Sequence, residues 1–391
     1  MSLAGQQDSP LIIEEAEQAV APWHALPYDE QLLRKSQMAR QTLGQAYGPL
    51  IRAIVPSPRI VGHRNKMEFS FGYDAQDRPA LGFHRRGKFW QVADLNRSAF
   101  LSETANHVYT MIKQWAFATK LPCYRQRNHQ GFFRHLVLRE GKRTGEILVC
   151  LVVNPIGFQE ALARVRAELI AMTESEPAVT SLWLASRQSV GDAALGEQYE
   201  LLRGRPTIRE QILELFFHVS PTSFLQVNTF GAERLYQCVR ELAASFAHRR
   251  VLIDLFCGSG GIGLALSHLF SSVVGVDFDA ESIRMAGENA AANHIRNAVF
   301  RCAKAKQLRE WVGESVDALV VDPPRAGLSP KVARQINQLA PQRVIYISCN
   351  PASFRDDMQT LQLRYDVLQI TPIDLFPHTP HLELVALLER R

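Results

Sequence analysis

Apolar positions recur every three to four residues across 28 to 47, YDEQLLRKSQMARQTLGQAY, which predicts one amphipathic helix ended by Pro49 and the VPSPR that follows. Beyond it the texture becomes strand-like. NKMEFSFGYD (65–74), an AQDRP turn and ALGFHRRGKFWQVADL (80–95) read as a hairpin-rich sheet. A helix is predicted over 101 to 118, then FRHLVLREG and GEILVCLVVN as a strand pair around a GKRTG turn. A further helix over 156 to 172 and the strand SLWLASR complete this part. Between 200 and 220 the pattern changes to a strand, a proline-bearing polar loop and a helix, FFHVSPTSFLQVNTFGAERLYQCVRELAASF. From 251 strands and helices alternate: VLIDLF, SSVVGVDF, a helix over 279 to 292, AVFRCA, a helix, VDALVVD, a helix, RVIYISC and another helix. YDVLQITPIDLF and HLELVALLER then form an apparent hairpin. Successive βαβ units predict a largely parallel, doubly wound sheet. The chain is therefore expected to comprise an N-terminal arm and helix (1–50), an α+β domain (51–200) and a Rossmann-like α/β domain (201–391).

With 391 residues, 46% of them apolar, the chain has material for two or three real cores. The six cysteines, Cys123, Cys150, Cys238, Cys257, Cys302 and Cys349, are scattered, form no CxxC pair and have no metal-site spacing. A cytoplasmic protein with free thiols and no metal is the expectation. Cys150 and Cys302 read as core, and Cys257 as packed beneath a loop. The opening MSLAG reads as an expression scar or a frayed end, with no leader pattern behind it. No apolar run reaches the roughly 18 residues of a membrane span. The net charge of +5 is compatible with nucleic acid without demanding it. Its distribution is more pointed. HRNK (63–66), FHRRGKF (83–89), YRQRNHQGFFRH (124–135) and REGKR (139–143) mix basic groups with aromatics, which suits phosphate contact and base stacking. The competing reading is an ordinary solvated face.

The candidate chemistry lies in the last third. DLFCGSGGIGLAL (254–266) sits between a strand and a helix, and its glycines let backbone amides approach a ligand. Asp277 ends the next strand, where a carboxylate can accept hydrogen bonds from a ribose. These features fit a nicotinamide dinucleotide and S-adenosylmethionine equally well. VVDPPRAGL (320–328) adds two prolines that stiffen a loop after Asp322 at the carboxyl end of the sheet. Cys349 ends the following strand in VIYISCNPASF, and nearby backbone amides are expected to lower the pKa of this nucleophile. Near the C-terminus Asp374, His378, His381 and Glu383 precede a terminal strand that returns to the same face. A buried Glu with a raised pKa can act as general base.

FFHVSPTSFLQVN, LIDLFCGSGGIGL, VVGVDFD, VVDPPRAGL, VIYISCNPASFRDD and DLFPHTPHLELVALL, in this order and spacing, resemble the S-adenosylmethionine-dependent RNA uracil-C5 methyltransferases. The likeness is strong over 200 to 391 and extends more weakly to QLLRK, HRNKMEFSFG, LGFHRRGKF and FRHLVLREG. It implies that Cys349 attacks C6 of the target uracil, that Glu383 removes the C5 proton, and that Gln226, Phe256, Gly261, Asp277 and Asp322 hold S-adenosylmethionine. Asp322 and Asn350 are placed near the base, and the basic middle domain would grip a flipped-out uridine in rRNA or tRNA. Phe256 stands where relatives often carry tyrosine, which removes a hydroxyl but keeps a stacking surface. Relatives with an iron-sulfur cluster carry cysteines where this chain has APWHALPYDEQ and VADLNRSAF, so no cluster is expected. The stretch before residue 28 is expected to be too short for the small β-barrel that some relatives add. A nucleotide-dependent oxidoreductase would explain the glycine loop and Asp277 but leaves Cys349 and Glu383 without a joint task. An inactive RNA-binding protein would leave both idle. The uridine, the RNA and the roles of His378 and His381 (tuning Glu383 or ordering their loop) stay open, with a monomer as the default.

Overall fold

The computed structural model describes residues 11–308 and 316–391. The alternating apolar positions of KMEFSFGY become β1 (Lys66–Tyr73), which buries Met67, Phe69 and Phe71. It pairs antiparallel with β2 (Pro79–Arg85), and β2 pairs with β3 (Lys88–Asp94) after a turn at Arg86 and Gly87. On its other side β1 pairs with β4 (Phe133–Glu140), followed by β5 (Ile147–Val153), β6 (Val179–Ser186) and β7 (Gln198–Gly204), in the order β3-β2-β1-β4-β5-β6-β7. Two helices cover this sheet, α2 (Glu103–Ala118) and α3 (Gln159–Glu174). Ser102 caps α2 by accepting from the Ala105 amide, and Ala105, Val108, Tyr109, Ile112 and Ala116 form its buried stripe. The strand β7, QYELLRG, carries too many charged and polar residues to read as a strand from sequence. As an exposed edge it does not need an apolar face.

A separate hairpin, β8 (Ile208–Ile212) and β9 (Leu215–Val219), leads into the second sheet. That sheet contains β10 (Val251–Leu255), β11 (Ser272–Asp277), β12 (Ala298–Cys302), β13 (Ala318–Val321), β14 (Arg343–Ser348), β15 (Tyr365–Ile373) and β16 (Glu383–Arg390). Its order is β12-β11-β10-β13-β14-β16-β15; the first five strands are parallel, and β16 enters antiparallel between β14 and β15. This is the expected Rossmann-like α/β arrangement, beside an α+β unit. The helices α4 (Thr229–Ala244), α5 (Gly261–Leu266), α6 (Ala280–Ala292), α7 (Pro330–Leu339) and α8 (Pro351–Leu361) connect these strands. The first helix, α1 (Tyr28–Tyr47), coincides with the span expected from its periodicity. It packs on α8 and β15, and Ile51 and Val55 bridge to Ile370 and Ile373 beside it. The helix expected between β12 and β13 falls largely on 309–315, outside the described residues, as does MSLAG. No helix among the described residues is long and apolar enough to cross a membrane.

The parallel strands β10, β11, β13 and β14 all end at one edge of the sheet. Because β16 runs the other way, it begins at that edge. Register then fixes the neighbours: Leu255 aligns with Val321, Val321 with Tyr346, and Ser348 with Leu384. One step further along the last pair places Cys349 beside Glu383.

Candidate functional site

The glycine loop forms one half of the site. Phe256 takes a left-handed backbone conformation (φ 64°) as the chain leaves β10, and its amide donates to the Val276 carbonyl at 2.9 Å. Gly258 and Gly260 are also left-handed, which suits glycine, and Gly260 opens α5. A Cβ on Gly261 would collide with the Tyr236 hydroxyl, so the absence of a side chain lets Tyr236 pack directly against the loop. Asp277 accepts from the Gly258 amide through Oδ2 and the Asp279 amide through Oδ1, both at 3.0 Å. Its carboxylate therefore ties the loop to the end of β11. A small cavity beside the loop is lined by Phe224, Gln226, Tyr236, Asp254, Phe256, Gly261 and Asp322. Sequence reasoning had placed Gln226, Phe256, Gly261 and Asp322 here. It missed Tyr236, which comes from the buried face of α4 and carries no signal of its own, and Asp254, visible only as the first residue of the glycine stretch. Asp254 accepts from the Gly263 amide at 2.8 Å through Oδ2, while its Oδ1 is buried without a hydrogen-bond partner, and burial pushes its pKa up to about 7. Such an orphaned carboxylate oxygen fits a polar or cationic ligand.

The other half gathers Cys349, Glu383, Asp322 and Arg325. Asn350 caps α8, its Oδ1 accepting from the Ala352 amide at 3.1 Å and its Nδ2 donating to the Arg325 carbonyl at 3.2 Å. The amide thus shapes the turn that presents Cys349. A cavity of about 280 Å³ is lined by Arg325, Cys349, Asn350, Pro380, His381 and Leu382, with Lys35, Met38, Ala39 and Thr42 of α1 on its wall. His381 and Pro380 also line a cleft of about 910 Å³ bordered by Arg64, Phe83, His84, Arg85, Arg86 and Phe89. Glu383 is buried and its Oε2 has no hydrogen-bond partner. Burial pushes Glu383 well above the ordinary carboxylate range, with the charge of Asp322 adding and Arg325 opposing. Burial raises Asp322 as well.

These charges reverse one expectation. The Cys349 thiol is not activated by its surroundings: burial, then the Glu383 and Asp322 carboxylates, push it up to about 11, against the opposing pull of Arg325. Below that value the thiolate fraction rises about tenfold per pH unit. Alkylation of Cys349 by iodoacetamide, followed by peptide mass spectrometry, is therefore expected to accelerate steadily from pH 7 to 10. Arg325→Ala is expected to slow it at fixed pH, because the cation no longer opposes the Glu383 and Asp322 carboxylates. A reaction rate that levels off near pH 7 would show a thiol already ionised.

The basic and aromatic segments divide in a way the sequence did not disclose. In YRQRNHQGFFRH, the rings of Tyr124, Phe132 and Phe133 are buried, and the buried Arg134 donates to the carbonyls of Ser189 and Gly191 at 2.7 Å. In HRNK, His63 and Asn65 are buried, and Asn65 donates to the Gln226 carbonyl at 2.8 Å. Arg139 of REGKR is buried too, donating to the carbonyls of Ser220 and Ser223 at 2.5 and 2.6 Å. Asn65 and Arg139 thus brace the two units against each other, whereas Arg134 ties β4 to the loop after β6 within the first unit. FHRRGKF keeps an open basic and aromatic face, with Phe89 63% exposed, and the exposed Arg127 stacks on Trp90 beside it. Cys302, expected in core, is exposed on the edge strand β12, whereas Cys150 and Cys257 are buried as expected. Among the described residues no group of three or more His, Cys, Asp or Glu is placed to hold a metal ion.

Comparison with known proteins gives this geometry its context. Residues 300–391 match the family model for tRNA (uracil-5-)-methyltransferase, and 252–342 match a methyltransferase domain. The chain is 33% identical over 361 residues to the tRNA (uracil(54)-C(5))-methyltransferase of Pyrococcus horikoshii, covering 92% of this chain and 81% of the relative. It belongs to the RNA uracil-C5 methyltransferase family. An uncharacterized RNA methyltransferase of Caldanaerobacter subterraneus subsp. tengcongensis is 37% identical over 339 residues, covering 85% of this chain and 74% of the relative. The crystal structure of the Pyrococcus abyssi tRNA (uracil-54, C5)-methyltransferase in complex with S-adenosyl-L-homocysteine superposes with a TM-score of 0.76 at 29% identity, covering 94% of this chain and 84% of that one. This methyltransferase uses S-adenosylmethionine, and RNA is its substrate. The orphaned Oδ1 of Asp254, on the cavity beside the glycine loop, fits that donor, which carries positive charge.

Proposed function

We propose that the enzyme methylates C5 of a uridine in tRNA through a covalent Cys349 adduct. The observation that carries this reading is the register of β14 and β16, which brings Glu383 beside Cys349, whose thiol feels the Glu383 charge and lines one cavity. C5 of a free uracil is a poor nucleophile. Attack of the Cys349 sulfur on C6 forms the S–C6 bond and moves the C5=C6 electrons onto C5 as an enolate. S-adenosylmethionine, when bound, would supply the methyl group: the C5–CH3 bond would form as the sulfonium S–CH3 bond breaks, leaving S-adenosylhomocysteine. Glu383 then takes the C5 proton, the electrons re-form C5=C6, and the S–C6 bond breaks to return the thiolate.

Each environment supports its role. A raised pKa makes ionised Glu383 a stronger base than an ordinary carboxylate. Arg325 opposes the negative field around Cys349, lowering the cost of forming the thiolate. Gln226, Phe256, Gly261, Asp277 and Asp322 would hold the donor, and Asp322, recessed between the two halves, would also face the base. Asn350 would contribute through the turn it caps. The cleft of about 910 Å³ with Arg85, Arg86 and Phe89 is wide enough to take the strand flanking a flipped-out uridine. The choice of tRNA rests on the named activity of the Pyrococcus relatives. The enzyme is proposed to work as a monomer in the cytoplasm.

Incubating tRNA and rRNA transcripts separately with methyl-labelled S-adenosylmethionine and digesting them to nucleosides tests the reading. Labelled 5-methyluridine from tRNA is expected. Label from rRNA alone would overturn the choice of RNA, and label in any other nucleoside would overturn the reaction.

A further inference from the structure

The QLLRK stretch of α1 takes no part in the chemistry above, yet its first and last residues are completely buried in the catalytic unit. Between the paired residues Ile373 and Glu383, the chain makes the loop DLFPHTPHL. Three residues on one face of α1, Tyr28, Gln31 and Lys35, hold it. Lys35 Nζ lies 2.6 Å from Asp374 Oδ1 and donates to the Phe376 carbonyl at 2.9 Å, with both charged side chains fully buried. The Tyr28 hydroxyl donates to Asp374 Oδ2 at 2.7 Å. Gln31 binds His378 twice: its Oε1 accepts from the backbone amide at 2.7 Å, and its Nε2 lies 3.1 Å from Nδ1. His378 Nε2 lies 3.0 Å from the Ile60 carbonyl, so the ring is fixed at both nitrogens. His378 also has a left-handed backbone (φ 66°), a strained conformation for a non-glycine residue that persists only where its surroundings hold it.

We infer that Lys35 and Gln31 are positioning residues for proton removal, acting through the loop that delivers Glu383 to the substrate. The Glu383 carboxylate needs such support because its Oε2 has no partner of its own. Cys349 does not depend on the loop in the same way. The parallel pairing of β13 with β14 and the Asn350 cap hold it independently. A buried Lys–Asp pair is a weak source of stability compared with apolar packing of the same volume, so its use here is better explained by geometry than by fold energy. Loosening the clamp should thus leave adduct formation and methyl transfer largely in place, and slow the last step.

This inference rests on the proposed Cys349 and Glu383 chemistry, and the experiment separates the two. Wild type, Glu383→Gln, Lys35→Met and Gln31→Ala are compared in single-turnover reactions with tRNA, following 5-methyluridine release and the covalent enzyme–RNA species that survives denaturing electrophoresis. Thermal melts and S-adenosylhomocysteine titrations accompany them. If wild type makes no 5-methyluridine, or Glu383→Gln traps no adduct, the underlying chemistry fails. If both behave as proposed, Lys35→Met and Gln31→Ala are expected to lower kcat about 10- to 100-fold, the penalty of a reacting group displaced by about 1 Å. Gln31→Ala, which alters neither cavity wall, should leave the RNA KM and donor affinity within about twofold of wild type, and both variants should raise the trapped fraction several-fold, as Glu383→Gln does. A folded variant with slow turnover but no extra adduct would overturn the assignment. So would loss of folding in both, which would make the clamp a stabilising device only.

Discussion

Cys349→Ala is expected to lose methyl transfer by roughly 10⁴-fold or more while binding S-adenosylhomocysteine as wild type does. The size of the loss follows from the reaction, because without a sulfur on C6 there is no enolate at C5 to accept a methyl group. The retained binding follows from the fold. The cavity proposed for the donor is lined by Phe224, Gln226, Tyr236, Asp254, Phe256, Gly261 and Asp322, and Cys349 belongs to the neighbouring cavity. Transfer to labelled tRNA and calorimetric titration of S-adenosylhomocysteine measure the two halves. Residual transfer within tenfold of wild type would sink the covalent route.

Glu383→Gln is expected to slow product release about 10²- to 10⁴-fold, the usual contribution of a general base, and to accumulate the methylated adduct. It should also make the protein more stable, with a pH signature. Glu383 has a folded pKa well above its ordinary 4.5, so the unfolded chain gives up this proton first. Below pH 4.5 the group is protonated in both states and costs nothing. As pH rises through the window between the two pKa values, stability falls because the folded state holds a proton that the unfolded chain has released. Glutamine stays neutral throughout. The variant should therefore exceed wild type by about 1–2 kcal/mol near pH 8, with the difference vanishing near pH 4. Melting curves at the two pH values decide it. A less stable variant at pH 8 would mean that the carboxylate is satisfied in a way its partnerless Oε2 does not show.

Much of this was legible in the chain. The period of α1 and the alternating units after 251 declared their elements because each buries a continuous apolar stripe or strand. The glycine loop, Asp277, DPPR, Cys349 and Glu383 were visible as unusual residue types at strand ends. Two readings misled for one physical reason. Arginines beside aromatics look the same in sequence whether they meet RNA or bury themselves on backbone carbonyls, as Arg134 and Arg139 do. Cys302 looked like core because its strand is apolar in composition, but β12 lies at the sheet edge.

The sequence by itself determined most of the elements, the polar edge strand β7 excepted, the parallel sheet and the set of reactive side chains, because these depend on local periodicity and on residue chemistry. Only the tertiary structure decided which of them act together. Inserting β16 antiparallel between β14 and β15 brings Glu383 from near the C-terminus to Cys349. Packing α1 on β15 sends Lys35 to Asp374, 339 residues away. Burial, a property of the assembled fold, then raises both the thiol and the carboxylate, so the reactivity of each is set by neighbours no local stretch of sequence contains.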